Sequence, residues 1–267
     1  MAVMKEALAD EKARHVLSFS GGKDSTALGI YMLQNYPEVP LEFVFCDTGT
    51  ELPETYEFIE RFEAIFGVEI KRLNALEMLG IKEKGNRTPF DVILDEYYGG
   101  FLPSPQARWC TRMLKIKPFE HYIGHDRAYT YIGIRADEDR LGYQQQKPLK
   151  LSDQQNILPV YPFQEDGMGI EDVKGVLDDS GLGLPPYYEW RSRSGCYFCF
   201  YQQIGEWQGL QEQHPELFEK AKQYERVENG KQYTWVNGRT LEDIEKLEER
   251  YQASEGEGLD GCLICHL

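Results

Sequence analysis

Long apolar runs are missing from this chain. No stretch approaches the length of a membrane span, so no helical membrane anchor is expected. The first residues, Met-Ala-Val-Met-Lys-Glu-Ala-Leu-Ala-Asp-Glu-Lys, carry mixed charge and no apolar leader segment, which points to a cytoplasmic protein. Positive charge is scarce: 29 Lys and Arg stand against 45 Asp and Glu, a formal net of −16. That balance argues against strong nucleic-acid binding by this chain alone. Cysteine is sparse as well. Four of the six cysteines stand in Cys-x-x-Cys pairs, which favours metal or redox chemistry over structural disulfides. There is no internal repeat. The Walker A pattern and the Gly-x-Gly-x-x-Gly dinucleotide fingerprint are both absent. The 267 residues suit one large or two small domains with a real core.

What is present is a short, dense motif near the start. Val16-Leu17-Ser18-Phe19 reads as a buried strand, Ser20-Gly21-Gly22-Lys23-Asp24-Ser25 as a loop, and Ser25 to Leu33 as a helix. A strand feeding a glycine loop and then a helix N-terminus gathers free backbone N–H groups around one point. Paired glycines let the backbone approach a ligand closely. Lys23 adds positive charge, and the serine hydroxyls can donate to phosphate oxygens. Asp24 is misplaced beside an anion unless Mg2+ lies between them. The ordinary alternative is a glycine-rich strand–helix turn.

Strand and helix signals alternate through the first 135 residues. Leu41 to Cys46, Val68 to Leu73 and Tyr129 to Ile134 read as strands. Pro53 to Phe66, Pro89 to Tyr98 and Thr111 to Ile123 read as helices. Alternation of this kind predicts an α/β fold with a parallel sheet, whose ligands sit beyond the carboxyl ends of the strands. The loop, Asp47-Thr48-Gly49, Trp109-Cys110 and Arg135 all fall at such ends or at the following helix start. From about residue 141 the pattern breaks down. Ile170 to Leu177, Glu206 to Tyr224 and Leu241 to Tyr251 read as helices, with Asn229-Gly230 as a hairpin turn. The division expected is residues 1–140 as a nucleotide-binding α/β domain and 141–267 as a smaller, mostly helical, cysteine-bearing region.

Charge is uneven. Residues 101–150 hold nine basic and five acidic side chains, while the flanking segments are acidic. Arg108, Arg112, Lys115, Arg135 and Arg140 in this island are candidates for anion or substrate binding. A solvated helix face, or for Arg135 and Arg140 an exposed salt bridge, is the simpler alternative.

The string Ser-Gly-Gly-Lys-Asp-Ser resembles the PP-loop of the ATP pyrophosphatase superfamily. Cys46-Asp47-Thr48-Gly49 with Leu52-Pro53-Glu54-Thr55 resembles the sulfonucleotide-reductase-like (PAPS-reductase-like) branch. So do Cys110-Thr111-x-x-Leu114-Lys115-x-Lys117-Pro118 and Gly133-Ile134-Arg135, although Asp139 stands where serine is expected. Arg191 to Cys199 resembles the Gly-Cys-x-x-Cys segment of the ATP pyrophosphatases of bacterial DNA phosphorothioation systems, the DndC and SspD type. The resemblance spans roughly residues 16–200. It implies a Rossmann-like adenine nucleotide alpha hydrolase fold. It also implies ATP held by Ser18, Ser20, Gly21, Gly22, Lys23, Asp24, Ser25, Asp47, Thr48 and Gly49, with Mg2+, and a catalytic set of Lys23, Asp24 and Arg135. ATP would adenylate a substrate oxygen, the DNA backbone by this likeness, and sulfur would replace it. Sulfur would come from a cysteine desulfurase working with other sulfur-modification proteins, in bacterial defence, and DNA would arrive through partners. The alternatives are a sulfonucleotide reductase, a tRNA-thiolation enzyme and a non-catalytic nucleotide- and metal-binding subunit.

Cys196-x-x-Cys199 and Cys262-x-x-Cys265 are two thiolate pairs. Their spacing suits either an all-thiolate Zn2+ site or a 4Fe-4S cluster. The resemblance favours iron–sulfur and adds Cys110 as a fifth candidate ligand, leaving one cysteine spare, its thiolate favoured by nearby arginines. Cys262-x-x-Cys265-His266 also spells the c-type haem motif, which an unexported chain does not use. His214 and His266 are lesser zinc candidates, and Cys46 is expected in the core.

Overall fold

The computed structural model describes residues 4–82, 85–138, 154–228 and 231–252. Arg140, Cys262, Cys265 and His266 lie outside the described residues, as does the Asn229-Gly230 turn. The chain opens with α1 (Met4–Ala9), then β1 (Arg14–Ser18), α2 (Lys23–Asn35), β2 (Leu41–Asp47), α3 (Pro53–Phe66) and β3 (Ile70–Asn74). After α4 (Ala75–Met78) and α5 (Pro89–Tyr98) comes one helical stretch. It runs through α6 (Trp109–Thr111), a π-turn (Arg112–Ile116) and α7 (Lys117–Ile123). β4 (Ala128–Tyr131) and β5 (Ile157–Val160) complete the sheet.

All five strands are parallel, in the order β3-β2-β1-β4-β5. The chain starts in the middle, walks outward to β3, then returns to pair β4 on the other side of β1. This α/β architecture has its topological switch point between β1 and β4, where open parallel sheets place their ligands. Period-two alternation sorts the strand side chains onto two faces. Leu17, Phe43, Phe45, Tyr129 and Tyr131 pack under α2 and α3 with Phe58, Ile59 and Phe62. Val16, Val44, Cys46 and Ile132 pack under α7 with Phe119 and Ile123. Cys46 is core, as its apolar strand implied.

β5 is a finding the sequence pattern did not bring out. It supplies the fifth strand from beyond residue 141, with Pro159 tolerated because the strand lies at the sheet edge. α8 (Pro162–Glu165) and α9 (Ile170–Asp179) follow it, and Val173 and Leu177 join the same core as α2. The sheet layer therefore does not end at residue 140.

A short 3-10 turn (Pro186–Glu189) leads to α10 (Ile204–Gln213), α11 (Pro215–Tyr224), the antiparallel pair β6 (Arg226–Glu228) and β7 (Lys231–Tyr233), and α12 (Leu241–Glu245). One helix was expected from Glu206 to Tyr224; there are two. Pro215 drives the residue before it out of the helical region, and His214 sits at φ −138, ψ 66. This region shares a third core with the first half. Trp207, Trp235, Phe198 and Tyr197 pack with Phe90, Trp109 and Leu114. The tail region is thus clamped beside the sheet end that carries β1, β2 and the Cys110 helix.

Candidate nucleotide and thiol site

The loop between β1 and α2 sits where the sequence placed it. Ser20 Oγ and Ser25 Oγ lie 3.0 Å apart, the Ser20 N–H donates to Ser25 Oγ at 3.1 Å, and the Gly22 N–H donates to Ser20 Oγ at 3.3 Å. These bonds curl the chain into a compact loop. Gly21 takes φ +69, a conformation that a side chain would strain. Gly22 is the N-cap of α2 and offers no side-chain bond, so the first turn is left for other groups to satisfy. Ser18, Ser20, Lys23, Asp24 and Ser25 are all buried. Ser18 Oγ has no hydrogen-bond partner among the described residues.

β4 delivers its following segment onto this loop from the other side of the switch point. Gly133 passes so close that a Cβ there would lie 2.8 Å from the Asp24 carbonyl oxygen. Arg135 follows, and its Nη1 meets Asp24 Oδ1 at 2.6 Å and Glu138 Oε1 at 3.3 Å, while its Nε meets Asp137 Oδ1 at 2.9 Å. Burial works against the guanidinium charge, but Asp24 and Glu138 outweigh it and hold Arg135 charged. Arg135 and Asp24, 111 residues apart, are therefore brought together. The salt bridge is largely buried, not exposed.

The end of β2 forms a second wall. The Gly49 N–H donates to Asp47 Oδ1 at 2.8 Å. Tyr56 O–H donates to the same oxygen at 2.8 Å and lies 3.2 Å from Glu51 Oε2. Thr48 Oγ1 donates to Glu51 Oε1 at 2.8 Å and stands 3.5 Å from Cys196 Sγ. Glu51 was missed by sequence reasoning. Its signal was an acid set between Thr48-Gly49-Thr50 and the apolar Leu52 just before α3. Burial pushes its carboxyl up from the ordinary value, with Asp47 adding to the rise and Lys115 opposing it.

Cys110, Cys196 and Cys199 line one small, partly open pocket with Thr48, Lys115, Phe90, Phe198 and Trp235. The first Cys-x-x-Cys pair and the Cys110 helix are thus joined. Among the described residues no three His, Cys, Asp or Glu side chains are placed to hold a metal ion. Burial and the Glu51 charge push the Cys196 thiol up to about 11, against Lys115. Lys115 is buried by the π-turn, facing Glu51 and Cys196 rather than a solvated anion. A π-turn here fits Pro118, which cannot supply the N–H that a regular helix needs. Arg112 is exposed. The Arg108 guanidinium stacks 5.9 Å from the Tyr201 ring, which Arg193 also approaches at 5.2 Å. Arg193 Nη2 donates to Cys199 Sγ at 3.3 Å. His214 pairs with Glu54 at 2.8 Å and does not line the thiol pocket.

The phosphoadenosine phosphosulfate reductase domain matches residues 14–208, which include the loop, Arg135 and the first thiol pair. The chain belongs to the phosphoadenosine phosphosulfate reductase domain family. It is 27% identical over 208 residues to the Methanocaldococcus jannaschii protein MJ0973, covering 76% of this chain and 45% of that one. It is 26% identical to MJ0066 of the same organism, over 77% of this chain and 40% of that one. The chain thus spans less than half the length of these two relatives. The 37.8 kDa protein in the gpa 5′ region of Escherichia phage 186 is 26% identical, over 81% of this chain and 76% of its own. Two solved structures align at lower similarity. The phosphate complex of Candida auris phosphoadenylyl-sulfate reductase gives a TM-score of 0.48 at 15% identity, over 71% of this chain and 83% of that one. The U34-tRNA thiolase NcsA from Methanococcus maripaludis, with its 4Fe-4S cluster, gives 0.47 at 17%, over 94% and 81%. No helix among the described residues is long and apolar enough to cross a membrane.

Proposed function

We propose that this member of the family is an ATP pyrophosphatase that adenylates a substrate oxygen for sulfur insertion. The observation that carries the reading is the intact Ser20–Ser25 loop, closed on one side by Arg135 and on the other by the segment bearing Cys196 and Cys199. A reductase of sulfonucleotides has no pyrophosphate to hold and no need of such a loop. In the proposed reaction the substrate oxygen attacks the α-phosphorus of ATP. The bond to the β-phosphate breaks and pyrophosphate leaves. Lys23 and the α2 N-terminus stabilise the charge that grows on pyrophosphate. Arg135 holds Asp24 in place, and Asp24 is the residue that would carry Mg2+, which neutralises phosphate oxygens. Hydrosulfide, released from a persulfide by a thiol reductant, then attacks the activated atom of the substrate, the bond from that atom to the adenylated oxygen breaks, and AMP leaves with that oxygen.

Cys110, Cys196 and Cys199 share one pocket without closing around a metal ion by themselves; together with Cys262 and Cys265 they are the candidate ligands of a sulfur-handling centre. Three thiols on one largely apolar pocket suit a soft metal group, and an iron–sulfur cluster supplies an iron site able to bind sulfur. Iron and acid-labile sulfide found after anaerobic purification, and lost in Cys110→Ser, Cys196→Ser and Cys199→Ser, support the cluster; a colourless zinc protein contradicts it. A DNA backbone substrate, a cysteine desulfurase as sulfur source and DNA delivery by partners complete the reading.

The test compares substrates. AMP and pyrophosphate formed from ATP, with no sulfite released from adenylyl sulfate plus thiol, is the expected result. Sulfite release without ATP cleavage would make the chain a sulfonucleotide reductase.

A further inference from the structure

The loop at α2 is not open to one side. The 3-10 turn and the segment after it fold back over it from more than 160 residues away. The Lys23 N–H donates to Tyr188 O–H at 3.1 Å. The Tyr187 hydroxyl donates to the Gly21 carbonyl at 3.0 Å. Lys23 Nζ donates to the Ser192 carbonyl at 3.2 Å and lies 4.6 Å from the Tyr188 ring centroid. Ser194 packs so tightly on Gly22 that any Cβ there would collide with Ser194 Oγ. The groups that a phosphate needs, the first-turn amide and the lysine ammonium, are thus already engaged by this segment.

The same segment carries the thiols. The Arg191 N–H donates to the Tyr187 carbonyl at 2.9 Å, closing the turn. Its guanidinium is fully buried and donates to the Gly195 carbonyl at 3.1 Å and the Cys196 carbonyl at 2.7 Å. One residue therefore joins the tyrosine turn, through its N–H, to the backbone of Gly195 and Cys196, through its guanidinium. Beyond it, the Tyr197 N–H donates to the Thr50 carbonyl, and Ser192 is pinned by its N–H and hydroxyl to Glu206 on α10. Tyr188 and Cys196 are two ends of a stiff lever with fixed mounts.

We propose that residues 186–199 form a latch: pyrophosphate displaces Tyr188 from the Lys23 amide, and Arg191 transmits that movement to Cys196 and Cys199. The latch rests on the reading of Ser20–Ser25 as a pyrophosphate loop. It makes thiol chemistry wait for the nucleotide, because the loop and the thiol pocket share one backbone. Glu206 and Thr50 serve as its mounts, so the motion stays within the segment.

Two measurements on the full chain as purified test it. The first is calorimetric binding of magnesium pyrophosphate to the wild type, Tyr188→Phe and Tyr188→Ala. Removing the competing hydroxyl frees one hydrogen-bond donor, so Tyr188→Phe is expected to bind about fivefold tighter. The second is hydrogen–deuterium exchange over peptides covering residues 186–202. Pyrophosphate is expected to speed exchange at least about threefold in residues 187–194 and also in 195–199. In Arg191→Lys, which cannot span both carbonyls, the change is confined to 187–194. Equal affinity of wild type and both Tyr188 variants, or binding that leaves 186–199 unaltered, overturns the latch while leaving the loop reading intact. No binding by any of the three overturns the loop reading, and the latch with it.

Discussion

Gly133 offers the sharpest test of how the two sides of the switch point meet. A Cβ at this position would lie 2.8 Å from the Asp24 carbonyl oxygen, 2.9 Å from its carbon and 3.2 Å from the Ser25 nitrogen. All three atoms are backbone in the first turn of α2, so no side chain can swing away. Gly133→Ala must push the β4 end off the helix, and Arg135 lies two residues further on. Overpacking of this kind costs about 1–3 kcal/mol. At about 2–4 °C per kcal/mol the melting temperature falls by about 2–12 °C. ATP binding weakens as well, by about tenfold if 1.4 kcal/mol of the strain is relieved by displacing the loop. Gly175 is the control. It lies within α9, and nothing is within 4 Å of its added Cβ, so Gly175→Ala gains helix stability, about 0.5–1 kcal/mol. Thermal melts followed by circular dichroism, with calorimetry for ATP, read both variants. A Gly133→Ala protein as stable as wild type and binding ATP equally well refutes the packing argument.

Two further predictions follow from buried charge. Arg135→Ala leaves the Asp24 carboxylate, whose side chain is 4% exposed, without its cation. The loss is about 2–4 kcal/mol by urea denaturation, at the lower side of the range for buried pairs because Arg135 is 17% exposed. Adding Asp24→Asn removes the stranded charge and should recover at least half; no recovery contradicts the pairing. His15 on β1 is buried, with Nδ1 2.7 Å from the Tyr131 hydroxyl. Burial lowers its pKa below the ordinary 6.5, against Asp10. The unfolded chain then binds the extra proton, so stability is lost as pH falls below 6.5 toward the folded value. His15→Gln should lose less of its urea midpoint between pH 7.5 and 5.5 than wild type does; an equal loss contradicts that assignment.

Parts of this architecture were legible locally. The β1 strand, the Ser20–Ser25 loop and α2 are adjacent in sequence and bear their own punctuation, apolar run, then glycines, then helix. β2, α3 and α5 were readable for the same reason, and Arg135 was placed near the loop because strand ends in parallel sheets converge. What stayed hidden depends on distant partners. Tyr187, Tyr188 and Arg191 look like an ordinary turn, since their contacts with Gly21 and Lys23 span more than 160 residues and leave no periodic trace. Glu51 and Lys115 look like surface charges until the π-turn and β2 bury them together. β5 carries a proline and only four residues, too short for its alternation to show. Arg108 and Arg112 stand out in the charge pattern, and the structure sets the first 5.9 Å from the Tyr201 ring centroid and leaves the second exposed. The roles of Arg140, Cys262 and Cys265 fall outside the described residues.

Cleavage of ATP at the α-phosphorus by the Ser20–Ser25 loop is the proposed reaction on which the sulfur chemistry depends. The most direct measurement is pyrophosphate and AMP release from ATP by the wild type, Lys23→Ala and Asp24→Ala, each with Mg2+ and the sulfur-transfer partners present. Turnover is expected in the wild type, with a loss of at least about a hundredfold in both variants, the scale of removing one preorganised electrostatic group. Turnover unchanged in both variants, or ATP bound without cleavage by the wild type, would contradict it.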